Sequence, residues 1–185
     1  MPEPLTAADL AGAPRPPDPA ALLRRGRVRP VVLHPDPILR QRCEPAGALD
    51  WDSLCQLAGD LLATLYHAGG RGLAAPQIGE PMRIFVMDAG WKADAPCPRV
   101  FLDPQITPLA GPDETAEETC LSIPGQPVAV TRPATVSVAF FDLMGTLCTA
   151  DLTGIEARIA QHEADHLDGR LIIDRAARRE VQRNR

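Results

Sequence analysis

Residues 161–169 read Gln-His-Glu-Ala-Asp-His-Leu-Asp-Gly, and this stretch decides how the rest of the chain is interpreted. His162 and His166 are four residues apart, a spacing that stacks both rings on one face of a helix. Both imidazoles can then bind one metal ion, while Glu163 between them reaches a water molecule on that ion. The stretch therefore predicts a metal-binding helix that carries the residues of a hydrolase.

The residues around this motif predict where its helix begins and which side faces inward. Thr153 and Glu156 form a capping-box pattern, and Gly169 is a suitable stop. Ile155 and Ile159 share a stripe with the two histidines, so we expect that stripe to face the core. Two histidines on an apolar face can also be hydrogen-bonded core residues, but the cap, the spacing and the glutamate favour a metal site.

Composition limits the remaining classes of function. The chain has 185 residues, of which 45% are hydrophobic and 23% charged, as expected for one globular domain with a real core. A formal charge of −5 argues against a nucleic-acid binder, so we expect no specific DNA partner. No apolar run is long enough for a membrane span, and the N-terminus lacks the pattern of a secretory signal. The prediction is a cytoplasmic protein with no membrane partner.

Three segments are expected along the chain. Residues 1–30 hold seven prolines and an arginine cluster, and they predict a flexible or draped arm without chemistry. Residues 31–175 would form the catalytic domain, and residues 176–185 a basic C-terminal tail. The five cysteines are odd in number and widely spaced, so we expect no disulfide framework.

Hydrophobic periodicity predicts an α+β fold, in which short, mostly antiparallel sheets pack around the central metal-binding helix. A core helix is expected over Trp51–His67, ended by Gly69 and Gly70. Strands are expected at 83–87, 100–102, 128–130, 135–141 and 147–150. Residues 142–145 separate the last two strands as a hairpin turn, so at least part of the sheet is antiparallel.

A catalytic metal site of this type needs a third protein ligand and one open position. No histidine follows His166, and His34 and His67 are the only other imidazoles. Cys120, beside a strand-like segment, is left as the candidate thiolate ligand.

Three segments in this order make the interpretation specific. They are Gly70-Arg71-Gly72-Leu73-Ala74-Ala75-Pro76-Gln77, Glu118-Thr119-Cys120-Leu121-Ser122 and Gln161-His162-Glu163-Ala164-Asp165-His166. Together they resemble the three signature motifs of the peptide deformylase family, and the similarity runs from about Val31 to Arg175. The resemblance implies removal of the N-formyl group from the initiator methionine of nascent polypeptides.

The resemblance also implies roles for individual residues. Cys120, His162 and His166 would hold one divalent metal ion, most commonly Fe²⁺ in this family, with Zn²⁺ or Ni²⁺ able to substitute. Glu163 would be the general base and acid. Gln77 and the backbone N–H of Leu121 would donate hydrogen bonds to the developing oxyanion.

The same motifs suggest which residues surround the substrate and support the ligands. The predicted substrate-binding residues are Gly70, Arg71, Gly72, Leu73, Thr119 and Arg158. Glu118 is expected to orient a ligand or to pair with a nearby cation such as Arg132. Thr119 replaces the usual glycine of the second motif and Arg71 a small aliphatic residue of the first, which leaves the fit of the substrate open.

Two further hypotheses follow from these departures and from the tail. The chain could act on a different N-formyl or N-acyl substrate, or be a metal-binding deformylase homologue with little turnover. The arginines of the C-terminal tail would suit contact with ribosomal RNA phosphates, or they could form a solvated helix face.

Overall fold

The computed structural model describes residues 18–176, which contain three α-helices, a short helical segment at 172–176 and seven strands. The helices are α1 (Pro19–Arg25), α2 (Trp51–His67) and α3 (Gly154–Leu167). The strands are β1 (Gly72–Ala74), β2 (Ile84–Met87), β3 (Arg99–Pro108), β4 (Asp113–Cys120), β5 (Ile123–Pro133), β6 (Thr135–Phe141) and β7 (Leu147–Thr153). Within residues 18–176, no helix is long and apolar enough to cross a membrane.

The strands form two antiparallel sheets. Five of them pair in the order β1-β2-β3-β6-β7, which leaves β1 as an edge strand. Within the described part of the chain, β4 and β5 pair only with each other and form a two-stranded ribbon. The α+β fold predicted from the sequence is confirmed, and so is the antiparallel pairing of β6 with β7 across the turn at 142–145.

Helix α3 lies at the centre of this arrangement. It contacts strands of both sheets, and Ala157, Ala160 and Leu167 are fully buried against the five-stranded sheet. Small residues on this face let the helix approach the strands closely, so side chains elsewhere on α3 have fixed positions relative to both sheets. The predicted central helix therefore positions the histidines.

Two details predicted for this helix are wrong. Thr153 is the N-cap residue, but its side chain makes no capping hydrogen bond, because Gly154 enters the helix with a left-handed φ of 54°. Ile155 is half exposed instead of buried, because it lies at the wall of an open cavity beside α3. The inward-facing stripe begins at Ala157 and Ile159.

The sequence also missed two strands and shortened others. β1 has only three residues, too few to show a period. β4 is exposed along most of its length, so it lacks the alternation that marks a strand with one buried face. β3 and β5 extend well beyond the predicted 100–102 and 128–130, since their ends are polar or exposed.

Helix α1 packs directly onto α2. Leu22 is buried between them, and Gly26 and Gly59 bring the two backbones into contact. Arg29 then forms ion pairs with Asp60 and Glu80, each at 3.2 Å. The part of the expected arm from residue 18 to 30 thus lies against the domain, and residues 1–17 lie outside the described part.

Substitution of Gly59 by alanine tests this contact. Alanine normally stabilises a helix interior relative to glycine by about 1 kcal/mol. Here a Cβ would lie 2.6 Å from the carbonyl oxygen of Leu22 and 3.1 Å from the backbone nitrogen of Gly26. We therefore expect Gly59→Ala to lower the free energy of unfolding by about 1–3 kcal/mol in urea denaturation. A more stable variant would mean that α1 does not pack on α2 in solution.

Candidate metal centre

Three side chains from two elements converge at the candidate metal site. Cys120 is the last residue of β4, and His162 and His166 lie one turn apart on α3, with ring centroids 5.1 Å apart. One ligand atom from each of the three lies within 4.8 Å of the other two. The structure therefore brings together the three ligands predicted from the sequence.

The geometry and chemistry of this trio fit a divalent transition metal. Sulfur and imidazole ligands at ordinary bond lengths around a tetrahedral ion lie about 3.6 Å apart. The Cys120 Sγ and His166 Nε2 atoms are 3.3 Å apart. Burial lowers the pKa of His166 well below its usual range, so its ring is neutral and its Nε2 lone pair can bind a cation.

Glu118 orients one of these ligands. Its Oε2 lies 2.9 Å from His162 Nδ1, which leaves Nε2 of that ring for the metal site. Arg132 donates to both carboxylate oxygens, at 2.7 and 2.9 Å, and Arg158 donates to Oε1 at 2.8 Å. Burial would raise the pKa of Glu118, but hydrogen bonds from His162 and Arg132 outweigh it and lower the pKa to about 2. Glu118 is therefore ionised throughout the ordinary pH range.

Arg132 links this carboxylate to α3. It is almost fully buried, and its third contact is with Asp165 at 2.8 Å. Asp165 also accepts from Arg175 at 2.6 and 3.2 Å. The sequence analysis did not give Asp165 a role, although an acidic residue directly before a ligand histidine on the buried side was a usable signal.

Glu163 lies on the same helix in a more apolar position. It is 4% exposed, and its Oε2 has no hydrogen-bond partner within residues 18–176. Burial raises the pKa of Glu163 to about 7. Its Oε1 lies against Gly72 of β1, where a Cβ would collide with it. The carboxylate is thus confined between α3 and the first predicted motif.

Gln77 is held by its own backbone turn. It lies in the short 3₁₀ helix Ala75–Ile78, and its Oε1 accepts the N–H of Ala74 at 2.9 Å. Its Nε2 therefore points the other way, 3.7 Å from Cys120 Sγ and 3.2 Å from Ser122 Oγ. The amide N–H₂ group is aimed at the metal site, and Leu121, which follows Cys120, also lines the adjoining cavity.

A cavity of about 430 Å³ opens beside these groups. Its walls come from the unpaired edge of β1, the end of β4 with the following turn, and the first turns of α3. The lining residues include Gly70, Arg71, Gly72, Gln77, Lys92, Glu117, Glu118, Thr119, Cys120, Leu121, Ile155, Arg158, Ile159 and His162. The cavity is thus a cleft between a free strand edge and the candidate metal site.

The predicted substrate-binding residues occupy different parts of this cleft. Gly70 and Gly72 line it as half-buried backbone, and Arg71 and Thr119 line it as exposed residues. The Arg158 guanidinium is engaged by Glu118 and by two backbone carbonyl oxygens, so it is not free to bind a substrate carboxylate. Leu73 is fully buried in the core and does not line the cavity.

Comparison with known proteins agrees with this geometry. A family model described as polypeptide deformylase matches residues 28–182. The chain belongs to the peptide deformylase family. A peptide deformylase from Mesorhizobium japonicum is 46% identical over 147 residues, which cover 80% of this chain and 83% of the relative. The chain is a metallohydrolase that removes the N-formyl group from nascent peptides.

Solved deformylase structures share the fold. The crystal structure of peptide deformylase from Thermotoga maritima has a TM-score of 0.74 and 37% identity, and it covers 80% of this chain and 97% of that one. The Met-Ala-Ser-bound class I type b deformylase from Acinetobacter baumannii has a TM-score of 0.73 and 33% identity, with 80% and 98% covered. The deformylase fold is therefore present in this chain.

Glu118→Gln is expected to weaken metal retention. The neutral amide loses the charge that fixes His162 Nδ1 and leaves Arg132 with one carboxylate partner fewer, and changes of this kind cost about 10- to 100-fold in metal affinity. Competition with chelators of graded affinity measures the effect. Glu117→Gln, an exposed neighbour at the cavity mouth, is the matched control. Equal metal retention in the two variants would contradict the role of Glu118.

Proposed function

We propose that this chain deformylates nascent peptides with Cys120, His162 and His166 as metal ligands and Glu163 as general base and acid. The convergence of one thiolate and two imidazoles on a cleft beside a buried glutamate carries the proposal. A divalent cation held there would supply a Lewis acid for the formyl oxygen and would acidify a water molecule. The remaining chemistry belongs to side chains of this chain.

Glu163 is suited to move a proton in both directions. Burial raises its pKa to about 7, so its protonated and ionised forms lie close in free energy near neutral pH. It would take a proton from the attacking water as that oxygen bonds to the formyl carbon. It would then give the proton to the amine nitrogen as the carbon–nitrogen bond breaks and formate leaves.

Gln77 would stabilise the oxyanion of the tetrahedral intermediate. Its amide is fixed by the bond from Ala74 N–H, so its Nε2 needs no reorganisation when charge develops. The backbone N–H of Leu121, which also lines the cleft, would be the second donor. Both donors stand on elements that are held independently of the substrate.

The peptide would bind as an added strand along β1. β1 is an edge strand, and Gly70 and Gly72 line the cleft without side chains that would obstruct a backbone. The bound Met-Ala-Ser of the Acinetobacter neighbour supports a ligand of this class. With the formyl group near Cys120, the peptide would run outward past Gly72 toward Gly70 and the exposed mouth.

The native metal, the location and the ribosome contact are further parts of the proposal. Fe²⁺ is the proposed ion, and Zn²⁺ or Ni²⁺ would also suit one sulfur and two nitrogen ligands. The chain would work in the cytoplasm, where formylated peptides are made. The proposed ribosome contact rests on the arginines of the C-terminal tail, residues 176–185, of which 177–185 lie outside the described residues.

The alternatives based on Arg71 and Thr119 are not favoured. Both residues are exposed where they line the cleft, and neither is one of the three proposed ligands. Relatives that are 40–46% identical to this chain are peptide deformylases. A different acyl substrate or a loss of turnover therefore has no specific observation to support it.

Removal of the metal is expected to abolish formate release from formyl-Met-Ala-Ser. Protein purified without oxygen and stripped with a chelator should regain activity with Fe²⁺, and its rates with Zn²⁺ and Ni²⁺ rank the three ions. In the same assay Glu163→Gln should retain the metal but lose at least about 10²-fold in kcat, since no base takes the proton. Glu156→Gln, a partly exposed carboxylate on the first turn of α3 that does not line the cleft, is the control. Full activity of the metal-free protein would contradict the proposal.

Gly72→Ala should impair turnover without removing any catalytic group. An added Cβ would collide with Oε1 of Glu163 and lie 2.7 Å from Cγ2 of Ile159. Glu163 would have to move, and a displacement of about 1 Å in a catalytic group costs on the order of 10²-fold in rate. Steady-state kinetics should show the loss in kcat, with metal content unchanged. Unaltered kcat would mean that Glu163 does not need its position against β1.

A further inference from the structure

Trp91 lies in a loop that Asp88 organises directly behind the substrate cleft. Asp88 follows β2 and is fully buried. Its Oδ1 accepts backbone N–H groups of Gly90, Trp91 and Cys97 at 3.0–3.2 Å, and its Oδ2 accepts the hydroxyl of Tyr66 at 2.8 Å. One carboxylate therefore sets the course of the whole loop.

The indole of Trp91 connects this loop to the cleft. Its Nε1 donates to the carbonyl oxygen of Gly70 at 2.8 Å. The ring is fixed by an edge contact with Tyr66, with centroids 5.4 Å apart and planes at 84°. Lys92, the next residue, lines the mouth of the cleft. Contacts with Asp88 and Tyr66 thus fix the position of Trp91, and Trp91 in turn fixes the carbonyl group of Gly70.

Gly70 begins the segment that leads into the free edge of β1. Its N–H donates to the carbonyl of Leu65 at 3.0 Å, and a Cβ on it would lie 2.9 Å from Cδ1 of Leu121 across the cleft. The next carbonyl, that of Arg71, accepts the N–H of Asp88 at 2.9 Å. Two bonds from the same loop therefore fix two consecutive carbonyls, at the place where the cleft reaches its mouth.

We infer that Trp91 is a positioning residue for the part of the peptide that follows the formylmethionine. This inference rests on the proposed function, in which the peptide runs outward along β1. At about 3.3 Å per residue of extended chain, Gly70 lies opposite the second or third residue of the peptide, beyond the reach of the formyl group. Trp91 acts on binding through the Gly70 carbonyl and contacts no reacting atom.

Trp91→Phe isolates the hydrogen bond, because phenylalanine keeps an aromatic ring beside Tyr66 but lacks the indole N–H. KM for formyl-Met-Ala-Ser should rise by roughly three- to tenfold, the range expected for one hydrogen bond. kcat should stay within about twofold of the parent, and the kinetics of formyl-Met amide, which lacks the later residues, should not change.

Trp51→Phe is the matched control. Trp51 also donates its indole N–H to a backbone carbonyl, that of Leu143 at 3.0 Å, but it does not line the cleft. Its substitution should leave both substrates unaffected, whereas unfolding experiments report any general loss of stability in either variant. Unchanged KM in Trp91→Phe, an equal change for both substrates, or the same change in Trp51→Phe would each overturn the inference.

A binding measurement separates this inference from the proposed reaction. Calorimetric titration of formyl-Met-Ala-Ser into Glu163→Gln protein needs no turnover, and adding Trp91→Phe should weaken binding by the same factor that is seen in KM. If the parent releases no formate but Trp91→Phe still weakens peptide binding, the proposed function is refuted and the role of Trp91 is not. Equal affinity with and without Trp91→Phe, or no peptide binding, would overturn the role of Trp91.

Discussion

The position of the metal site depends on a positive charge placed almost entirely out of water. Arg132, on β5, bonds to Glu118 on β4 and to Asp165 on α3. An unpaired guanidinium at that depth would cost several kcal/mol, so the ribbon and the helix are stable together only when both carboxylates face it. Because Cys120 lies two residues from Glu118 and His166 directly follows Asp165, the same pairing sets the distance between thiolate and imidazole ligands.

Two buried carboxyl groups beside the candidate metal site have pKa values shifted in opposite directions. Burial by itself favours a higher pKa for both Glu118 and Glu163, but only Glu163 ends with a raised pKa. Glu118 faces two arginines and a histidine, and these partners hold it ionised with a pKa of about 2. Glu163 has no such donors, and burial leaves its pKa at about 7. Strand β4 thus presents a permanent anion that orients a ligand, and α3 presents a separate group that can exchange a proton.

Local patterns explain how much of this could be predicted from the sequence. The hydrophobic periodicity of the two long helices and of the buried strands reflects one solvent-exposed face and one buried face. The three motifs indicated the residues that meet at the site. β4 was missed because it is exposed along most of its length. The engagement of Arg158 by Glu118, 40 residues away, depends on how the ribbon folds over α3, and no local pattern reports that. Trp91 was missed for the same reason, since its loop has no period and its partner precedes it by 21 residues.

The separation of the β4–β5 ribbon from the main sheet has a kinetic consequence. Within residues 18–176 the two strands of the ribbon pair only with each other. The ion pair of Arg132 with Asp165 and apolar contacts of residues such as Val128 and Val130 with Leu39, Leu171 and Ile172 hold the ribbon in place. It contains Cys120, whereas both histidines stay on the helix at the centre of the domain. A local opening of the ribbon would therefore remove one ligand of three while the rest of the core stayed folded. We therefore expect the rate at which this hairpin opens locally to limit the lifetime of a bound ion. Hydrogen exchange of the hairpin amides would then occur at a rate that parallels release of the metal.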